Sequence, residues 1–138
     1  MGIGYALLVS AEQTAGEYEL MKFVIPTGLG PPMHMHTRED ECYLILEGEF
    51  EVTVGEEVFT ATPGTYLHLP RNIRHGITNV GDDVGSFLCW VIPGNLGPFF
   101  AQLTQPWPAD AKYPPMLTEE DIQKLMSLAQ EFGITLLA

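Results

Sequence analysis

The amino-acid sequence predicts an all-β barrel or sandwich that is followed by one C-terminal α-helix. Gly and Pro, which occur 14 and 11 times, divide the first 93 residues into short apolar runs with no helical period. A helical period occurs only near the end of the chain. The length of 138 residues suits one domain. We therefore expect residues 1–138 to form a single domain, with a barrel over about 4–93, an extended arm over about 94–117 and a helix over about 119–132.

Strand-like runs follow one another at short intervals in the predicted barrel. They cover residues 5–10, 17–26, 33–36, 41–46, 49–54, 58–61, 65–69, 73–79 and 85–92. The run 41–46 is apolar on one face, through Cys42, Leu44 and Leu46, and largely apolar on the other. A strand that is buried on both faces needs cover outside the barrel, either from another layer of this chain or from a second subunit.

The C-terminal segment has the pattern of an amphipathic helix, which makes it one candidate for that cover. Thr118 is suited to be the N-cap residue, and three carboxylates follow it in the first turn. Gly133 supplies a stop signal. The apolar residues recur at helical spacing, at Ile122, Leu125, Met126, Ala129 and Phe132. The arm before the helix is rich in proline and aromatic residues, and we interpret it as a functional lid or a wrapping arm.

The charge of the chain excludes some classes of partner. The formal net charge is −12, from 18 acidic and 6 basic residues, so the chain offers little to bind nucleic-acid phosphates or an anionic membrane. No run reaches the roughly 18 apolar residues of a membrane helix, and residues 1–9 read as a first strand rather than a signal peptide. We expect a cytoplasmic protein in which Cys42 and Cys89 are small buried hydrophobic residues and form no disulfide.

Three histidines and one glutamate form the pattern that points most directly to chemistry. His34 and His36 are two residues apart, so both imidazoles point to the same face of an extended strand. Glu41 begins the next predicted strand, after a polar turn over 37–40 that could fold it back beside them. His75 is placed on the apolar, inward face of its strand by the apolar residues two positions away. Three neutral imidazoles and a carboxylate suit one divalent Fe, Mn, Co, Ni, Cu or Zn ion, and they do not suit calcium or magnesium.

The same alternation predicts which side chains line a pocket around the ion. On the strand of Glu41, residues at two-residue spacing share its inward direction, and the strand of His75 follows the same rule. His68 is a further candidate, and its parity leaves open which face of its strand points inward. The predicted pocket residues are therefore Tyr43, Ile45, Ile73, Ile77 and His68.

The spacing of the first ligands resembles a motif of the cupin superfamily. That motif is Gly, five residues, His-x-His, three or four residues, Glu, six residues and Gly. In this chain five residues separate Gly28 from His34, and four residues separate His36 from Glu41. Six further residues lead to Gly48, so the first motif is complete.

The second cupin motif is present with one departure. Its pattern is Gly, five residues, Pro-x-Gly, two residues, His, three residues and Asn. This chain places Gly64, Pro70, His75 and Asn79 at those intervals, but Asn72 stands where Gly is usual. Asn is the non-glycine residue best suited to a left-handed turn, so we expect the turn to be kept.

The resemblance to cupins implies a fold and a ligand set. The fold would be a double-stranded β-helix, also called a jelly-roll barrel, here followed by the C-terminal helix. The residues that match the ligand positions of the two motifs are His34, His36, Glu41 and His75. The resemblance and the doubly apolar strand together lead us to expect a homodimer that binds a small-molecule substrate.

The amino-acid sequence of residues 31–41 is similar to that of small bacterial cupins described as quercetin 2,3-dioxygenase-like. This resemblance implies a metal-dependent dioxygenase for a flavonol-like or other enolisable aromatic substrate, with Glu41 as metal ligand and catalytic base. One alternative is a metal-dependent isomerase or decarboxylase of a small keto acid or sugar, and another is a non-catalytic module that binds metal or a small ligand. A carboxylate substrate is usually met by a buried Arg or Lys, whereas Arg74 is predicted to point outward.

Overall fold

Ten strands form two five-stranded antiparallel sheets in the computed structural model, which describes residues 3–102 and 118–137. In chain order the strands are β1 (Gly4–Val9), β2 (Glu19–Ile25), β3 (His34–His36), β4 (Asp40–Glu47), β5 (Phe50–Val54), β6 (Glu57–Ala61), β7 (Tyr66–Leu69), β8 (His75–Asn79), β9 (Gly85–Ile92) and β10 (Ile134–Leu136). The first sheet has the order β1-β2-β9-β4-β7, and the second has the order β10-β3-β8-β5-β6. The two sheets share one apolar core, so the predicted all-β fold is confirmed.

Helices are few in the described part of the chain. Helix α1 covers Gly97–Ala101 and helix α2 covers Glu119–Ala129, and short 3-10 helices lie at Glu12–Thr14 and Gln130–Phe132. Helix α1 lies within the predicted arm, and the rest of that arm, 103–117, lies outside the described residues. The division of the chain into one domain with a barrel, an arm and a helix stays a prediction. None of these helices has the length and apolar content that crossing a bilayer requires.

Aromatic side chains fill much of the space between the sheets. Phe23 on β2 lies opposite Phe87 on β9, and the two rings stack with their centroids 5.4 Å apart. Tyr43 on β4 stacks against Phe87 at 4.5 Å, and Phe50 from the second sheet meets the same ring edge-on at 5.7 Å. All four are buried. Such contacts add to the area burial of large rings and fix the spacing of the two sheets.

The outer face of the first sheet presents exposed apolar side chains in the described part of the chain. Leu46 on β4, Tyr66 on β7 and Ile92 on β9 are 36%, 60% and 40% exposed. Helix α2 packs instead against β10, at the edge of the second sheet. The C-terminal helix therefore does not provide the cover that was predicted for the doubly apolar strand.

The start and stop signals of the C-terminal helix act as predicted. The Thr118 hydroxyl accepts a hydrogen bond from the backbone N–H of Asp121, whose carboxylate accepts one from the backbone N–H of Thr118. The α-helix ends at Ala129 and tightens into the 3-10 helix of residues 130–132, and Gly133 then adopts a left-handed φ of 72°. The pattern did not indicate the strand that follows.

That last strand, β10, pairs with β3, which carries two of the predicted metal ligands. Ile134 lies opposite His36, and Leu136 lies opposite His34. Two further backbone hydrogen bonds, of 2.8 and 2.9 Å, extend the pairing at either end. Strand β3 is thus held on one side by β8 and on the other by the C-terminal segment.

Asn72 occupies the position where the second motif usually has glycine. Its φ is 63°, so the left-handed turn is kept, as expected. The backbone N–H of Asn72 donates to the carbonyl oxygen of His36 at 2.7 Å. The turn that leads into His75 is therefore fastened to the strand that carries the other two histidines.

Candidate metal centre

The structure brings the four predicted metal ligands together between the two sheets. His34 and His36 come from β3, and His75 on β8 lies directly opposite His34 in the sheet pairing. Glu41 reaches them from β4 of the other sheet. One nitrogen or oxygen from each side chain lies within 4.8 Å of the others, and all four residues are buried. The cluster is therefore able to hold one metal ion.

The donor atoms of the cluster face one another at short distances. The Nε2 atoms of His34 and His36 are 3.1 Å apart. The Oε2 atom of Glu41 lies 3.2 Å from Nε2 of His36 and 3.0 Å from Nε2 of His75. Two imidazole lone pairs at 3.1 Å repel each other unless a proton or a cation lies between them. The geometry therefore fits a cation at the point where the three Nε2 atoms converge.

The far side of each imidazole ring faces a hydrogen-bond acceptor. The Nδ1 atom of His34 lies 2.6 Å from the carbonyl oxygen of Pro32, and that of His75 lies 3.4 Å from the carbonyl oxygen of Ile73. A ring that donates its Nδ1–H to such an acceptor presents an unprotonated Nε2 to a metal. We infer this tautomer for both rings in the metal-bound site.

His36 differs from the other two histidines because its Nδ1 atom faces a carboxylate. That carboxylate is Glu39, which is fully buried, and its Oε2 atom is 3.5 Å from Nδ1 of His36. Glu39 belongs to the polar turn over 37–40, and the sequence predicts no role for it. The signal that could have found it is its parity with Glu41, two residues later on the same side of the chain.

Charge within the cluster is distributed unequally. Burial, followed by the neighbouring His75, lowers the pKa of His34 to about 4. Burial also acts to lower the pKa of His36, but the carboxylates of Glu41 and Glu39 outweigh it and raise that pKa to about 10. Burial acts to raise the pKa of Glu41, yet His36 and His75 hold it well below its usual range. The cluster therefore contains an ionised carboxylate that suits a cation.

Two further side chains donate to Glu41 inside the barrel. The Tyr43 hydroxyl lies 3.3 Å from Oε2 of Glu41, and the Cys89 thiol lies 3.5 Å from Oε1. Burial, and then the charge on Glu41, raises the pKa of both groups well above its ordinary value, so both keep their protons. The sequence predicted the inward direction of Tyr43, but it treated Cys89 only as a buried hydrophobic residue. Strand β9 is apolar on both faces, so alternation gave no signal there.

Both cysteines are buried and unpaired, in agreement with the sequence prediction of no disulfide. They lie on opposite faces of the first sheet, since Cys89 pairs with Tyr43 and Cys42 pairs with the outward-facing Trp90. The two thiols therefore have different surroundings. Only the inner thiol contacts a metal-ligand candidate.

Of the four remaining predicted pocket residues, two are buried and two are exposed. Ile45 and Ile77 lie in the apolar core. Ile73 is 40% exposed and lies in the turn before β8, and its role as a pocket residue stays a prediction. Strand alternation begins only at His75, and it could not be extended two residues backwards into the turn. That Ile45 and Ile77 line a substrate pocket stays a prediction.

His68 points away from the interior of the barrel, on the side opposite to the one that the pocket prediction requires. It is exposed on the outer face of β7, where its Nδ1 atom lies 3.5 Å from the Cys42 sulfur. The inward positions of this strand belong to Leu67 and Leu69, which are buried. Both faces of the strand carry large side chains, so the sequence could not fix its orientation.

A surface groove of about 250 Å³ lies on the outer face of the second sheet. It runs beneath the loop of residues 28–33, over outward-facing residues of β5 and β8 such as Glu51 and Thr78. None of the four ligand candidates lines it. The groove and the metal cluster therefore lie on opposite faces of the second sheet.

Buried imidazoles and a carboxylate thus lie together between the sheets of an antiparallel β-sandwich, in an arrangement that is able to hold a metal ion. The chain belongs to the cupin family, because a family model described as a cupin domain matches residues 21–91, about half of its length. The match contains all four ligand candidates. The family assignment that the motifs suggested is confirmed.

Individual relatives are more distant. Over 74 residues the chain is 31% identical to an uncharacterized protein of Methanocaldococcus jannaschii. This matched region covers 54% of this chain and 59% of that protein. Over 103 residues it is 23% identical to quercetin 2,3-dioxygenase of Bacillus subtilis. This matched region covers 75% of this chain and 30% of the enzyme. The chain thus spans less than two thirds of the length of either relative.

Among solved structures, the chain is similar to a predicted oxalate decarboxylase from Thermotoga maritima. The TM-score is 0.64 at 25% sequence identity, over 66% of this chain and 80% of the other. The likeness covers the barrel architecture.

Proposed function

We propose that this protein is a metal-dependent cupin dioxygenase that acts on a flavonol-like or other enolisable aromatic substrate. The observation that carries the proposal is the convergence of three Nε2 atoms on the ionised carboxylate of Glu41, in a buried site between two sheets. The similarity to quercetin 2,3-dioxygenase of Bacillus subtilis supports the choice of chemistry.

The proposed ligands are His34, His36, Glu41 and His75, and the proposed ion is a divalent Fe, Mn, Co, Ni, Cu or Zn. Nitrogen-rich donor sets suit these metals, whereas their general affinity order leaves the choice among them to availability. A bound ion of this kind supplies a Lewis acid that favours the deprotonated form of a substrate hydroxyl.

Glu41 is proposed as the residue that accepts the proton of the substrate hydroxyl. Its Oε2 atom faces two histidines and the Tyr43 hydroxyl, while its Oε1 atom has the Cys89 thiol as partner. These donors fix the orientation of the carboxylate, and burial excludes bulk water from it. Tyr43 and Cys89 keep their protons, so Glu41 is the proton acceptor among the three.

A decarboxylase or isomerase of a small keto acid or sugar is the second candidate, and the likeness to the Thermotoga maritima structure favours it. A carboxylate substrate in a buried site calls for a nearby cationic side chain. The described arginines are exposed and engaged elsewhere. Arg71 pairs with Asp40, Arg74 pairs with Glu56, and Arg38 donates to a backbone carbonyl near the C-terminus. These positions favour the dioxygenase.

Oxygen consumption tests the proposal. Metal-free protein is loaded separately with Fe, Mn, Co, Ni or Cu, and O₂ uptake is followed with quercetin under air. We expect uptake with at least one metal, and we expect it to be lost in His75→Ala but kept in His68→Ala, whose histidine is exposed on the outer face. No uptake with any metal removes the dioxygenase proposal. Tight metal binding with no turnover on aromatic or keto-acid substrates would favour a non-catalytic binding module.

We also propose that the protein is a cytoplasmic homodimer that pairs through the outer face of the first sheet. The exposed Leu46, Tyr66 and Ile92 form an apolar surface of the kind that oligomers bury. The two free thiols are consistent with a reducing compartment. Light scattering coupled to size-exclusion chromatography should give twice the chain mass of 15.3 kDa for the wild-type protein. The Tyr66→Glu variant should give the mass of a monomer. A monomeric wild-type protein contradicts this proposal.

A further inference from the structure

Glu39 is a buried carboxylate that no step of the proposed mechanism uses. It precedes β4, and its side chain has no exposed surface. Its Oε1 atom accepts a hydrogen bond from the side-chain amide of Asn95 at 3.0 Å. Its Oε2 atom faces Nδ1 of His36 at 3.5 Å. Glu39 therefore lies between a metal-ligand candidate and the start of the segment that leads to α1.

Neither of the two facing atoms has any other partner in the described part of the chain. Nδ1 of His36 and Oε2 of Glu39 are both buried without a hydrogen bond. Burying a carboxylate oxygen without a partner is expensive, and so is burying an imidazole nitrogen. Because the two atoms face each other at 3.5 Å, a small shift of the ring or the carboxylate lets each satisfy the other.

The turn that carries Glu39 is fixed on both sides. Thr37 donates from its backbone N–H to the carbonyl oxygen of Gly133 at 2.8 Å. Asp40, the next residue after Glu39, points outward and accepts hydrogen bonds from the backbone and side chain of Arg71 at 2.9 and 3.0 Å. The inward direction of Glu39 is thus set by its neighbours and does not depend on a metal.

We propose that Glu39 is a positioning residue of the metal centre, which holds His36 by accepting its Nδ1–H and is itself held by Asn95. The proposal rests on metal binding by the four ligands and is independent of the dioxygenase chemistry. His34 and His75 face neutral backbone carbonyls at the corresponding nitrogen, so only His36 has a carboxylate behind it. A carboxylate in this position orients the ring and strengthens it as a donor.

The same contacts join the metal centre to the segment before α1. Asn95 binds Glu39, and the backbone N–H of the next residue, Leu96, donates to the buried carboxylate of Glu19. Two adjacent residues of this segment are therefore held by carboxylates from the barrel. Release of Asn95 should loosen Glu39 and, through it, His36.

Metal affinity tests the role of Glu39 without any enzyme assay. Zn²⁺ or Co²⁺ binding is measured by competition with a chelator for the wild-type protein, Glu39→Gln, Glu39→Leu and Asn95→Ala. We expect Glu39→Gln to weaken binding by about 10- to 100-fold, the usual range for such partners of a ligating histidine. Glu39→Leu should weaken it more, since it removes both acceptors, and Asn95→Ala should weaken it less. Glu57→Gln, which removes the same charge from an exposed site, is the matched control and should change affinity by less than about twofold.

A spectroscopic readout separates positioning from a general effect on folding. In ¹⁵N NMR of the Zn²⁺-loaded wild-type protein, His36 should carry its proton on Nδ1 and bind through Nε2. In Glu39→Gln the ring ¹⁵N chemical shifts of His36 should change, while those of His34 and His75 should not. Ligation of His36 through Nδ1 overturns the proposal, and this wild-type measurement decides it even where a variant fails to fold. Wild-type affinity in Glu39→Gln overturns the role of Glu39 alone, whereas a wild-type protein that binds no metal overturns the metal centre as well.

Discussion

Ile134 lies directly opposite His36, because strand β10 pairs antiparallel with the strand that carries two of the metal-ligand candidates. Residues opposite each other in such a pair project to the same face of the sheet, so the buried Ile134 side chain stands beside the imidazole. Strand β3 is only three residues long and has a neighbour on each side. The C-terminal segment therefore completes one wall of the candidate metal centre.

Truncation of Ile134 should destabilise the protein and loosen the metal centre. Ile134→Ala removes buried apolar volume beside His36, and such changes in a core lower the free energy of unfolding by about 2–5 kcal/mol. Urea denaturation of the metal-free protein measures this change. Thr135→Ala, on the exposed face of the same strand, should change stability by less than about 0.5 kcal/mol. Equal effects of the two variants would contradict the role given to Ile134.

Replacement of one ligand should abolish metal uptake, and replacement of an outer histidine should not. His75→Ala removes one of the three converging Nε2 atoms. His68→Ala removes an exposed imidazole from the other side of the first sheet. Elemental analysis after dialysis should find about one ion per chain in the wild type and His68→Ala, and almost none in His75→Ala. A thermal melt of each metal-free variant establishes that the fold is kept.

Metal binding should release a proton at neutral pH. With a pKa of about 10, His36 is protonated at pH 7 in the metal-free protein, whereas His34, with a pKa of about 4, is neutral. A metal ion must displace the His36 proton, so apparent affinity should rise by about tenfold per pH unit between pH 7 and the pKa of His36. Calorimetry in buffers of different ionisation enthalpy should detect about one proton released per ion. Identical heats in all buffers would refute the assignment.

The left-handed turn at Asn72 should accept glycine and reject a β-branched residue. A non-glycine residue in this conformation stores roughly 1–3 kcal/mol of strain, and Asn bears it better than most. Asn72→Gly should therefore leave the free energy of unfolding within about 0.5 kcal/mol of the wild type or raise it. Asn72→Val should lower it by about 1–3 kcal/mol, and the backbone hydrogen bond to His36 should weaken with it. Equal stability of the two variants would show that φ at this position is not constrained.

The four ligand candidates could be found from the sequence because each is fixed by its interval to its neighbours. His34 and His36 share a strand face, and the turn before Glu41 and the turn before His75 are both short. Short connections between strands leave few ways to arrange the chain, so spacing determines position. The strands β1–β9 were predicted for the same reason, since turn residues mark most of their ends.

The parts that sequence reasoning missed depend on contacts between distant segments. Strand β10 is three residues long and follows a helix, so its own composition gives no sign of a partner until β3 is beside it. Glu39 lies in a charged turn, and only the packing of His36 and Asn95 around it makes it a buried residue. The exposure of Ile73 and His68 was not predicted because alternation cannot show where a strand begins or which of two bulky faces points inward.

The ligand candidates come from both layers of the sandwich, three imidazoles from one sheet and Glu41 from the other. A bound ion would therefore link the two sheets, and folding would be coupled to the supply of metal in the growth medium. At a free metal concentration of 100 times the dissociation constant, this coupling stabilises the folded chain by about 2.7 kcal/mol. Yield and resistance to proteolysis should then follow metal supplementation, even in a preparation that is never assayed for catalysis.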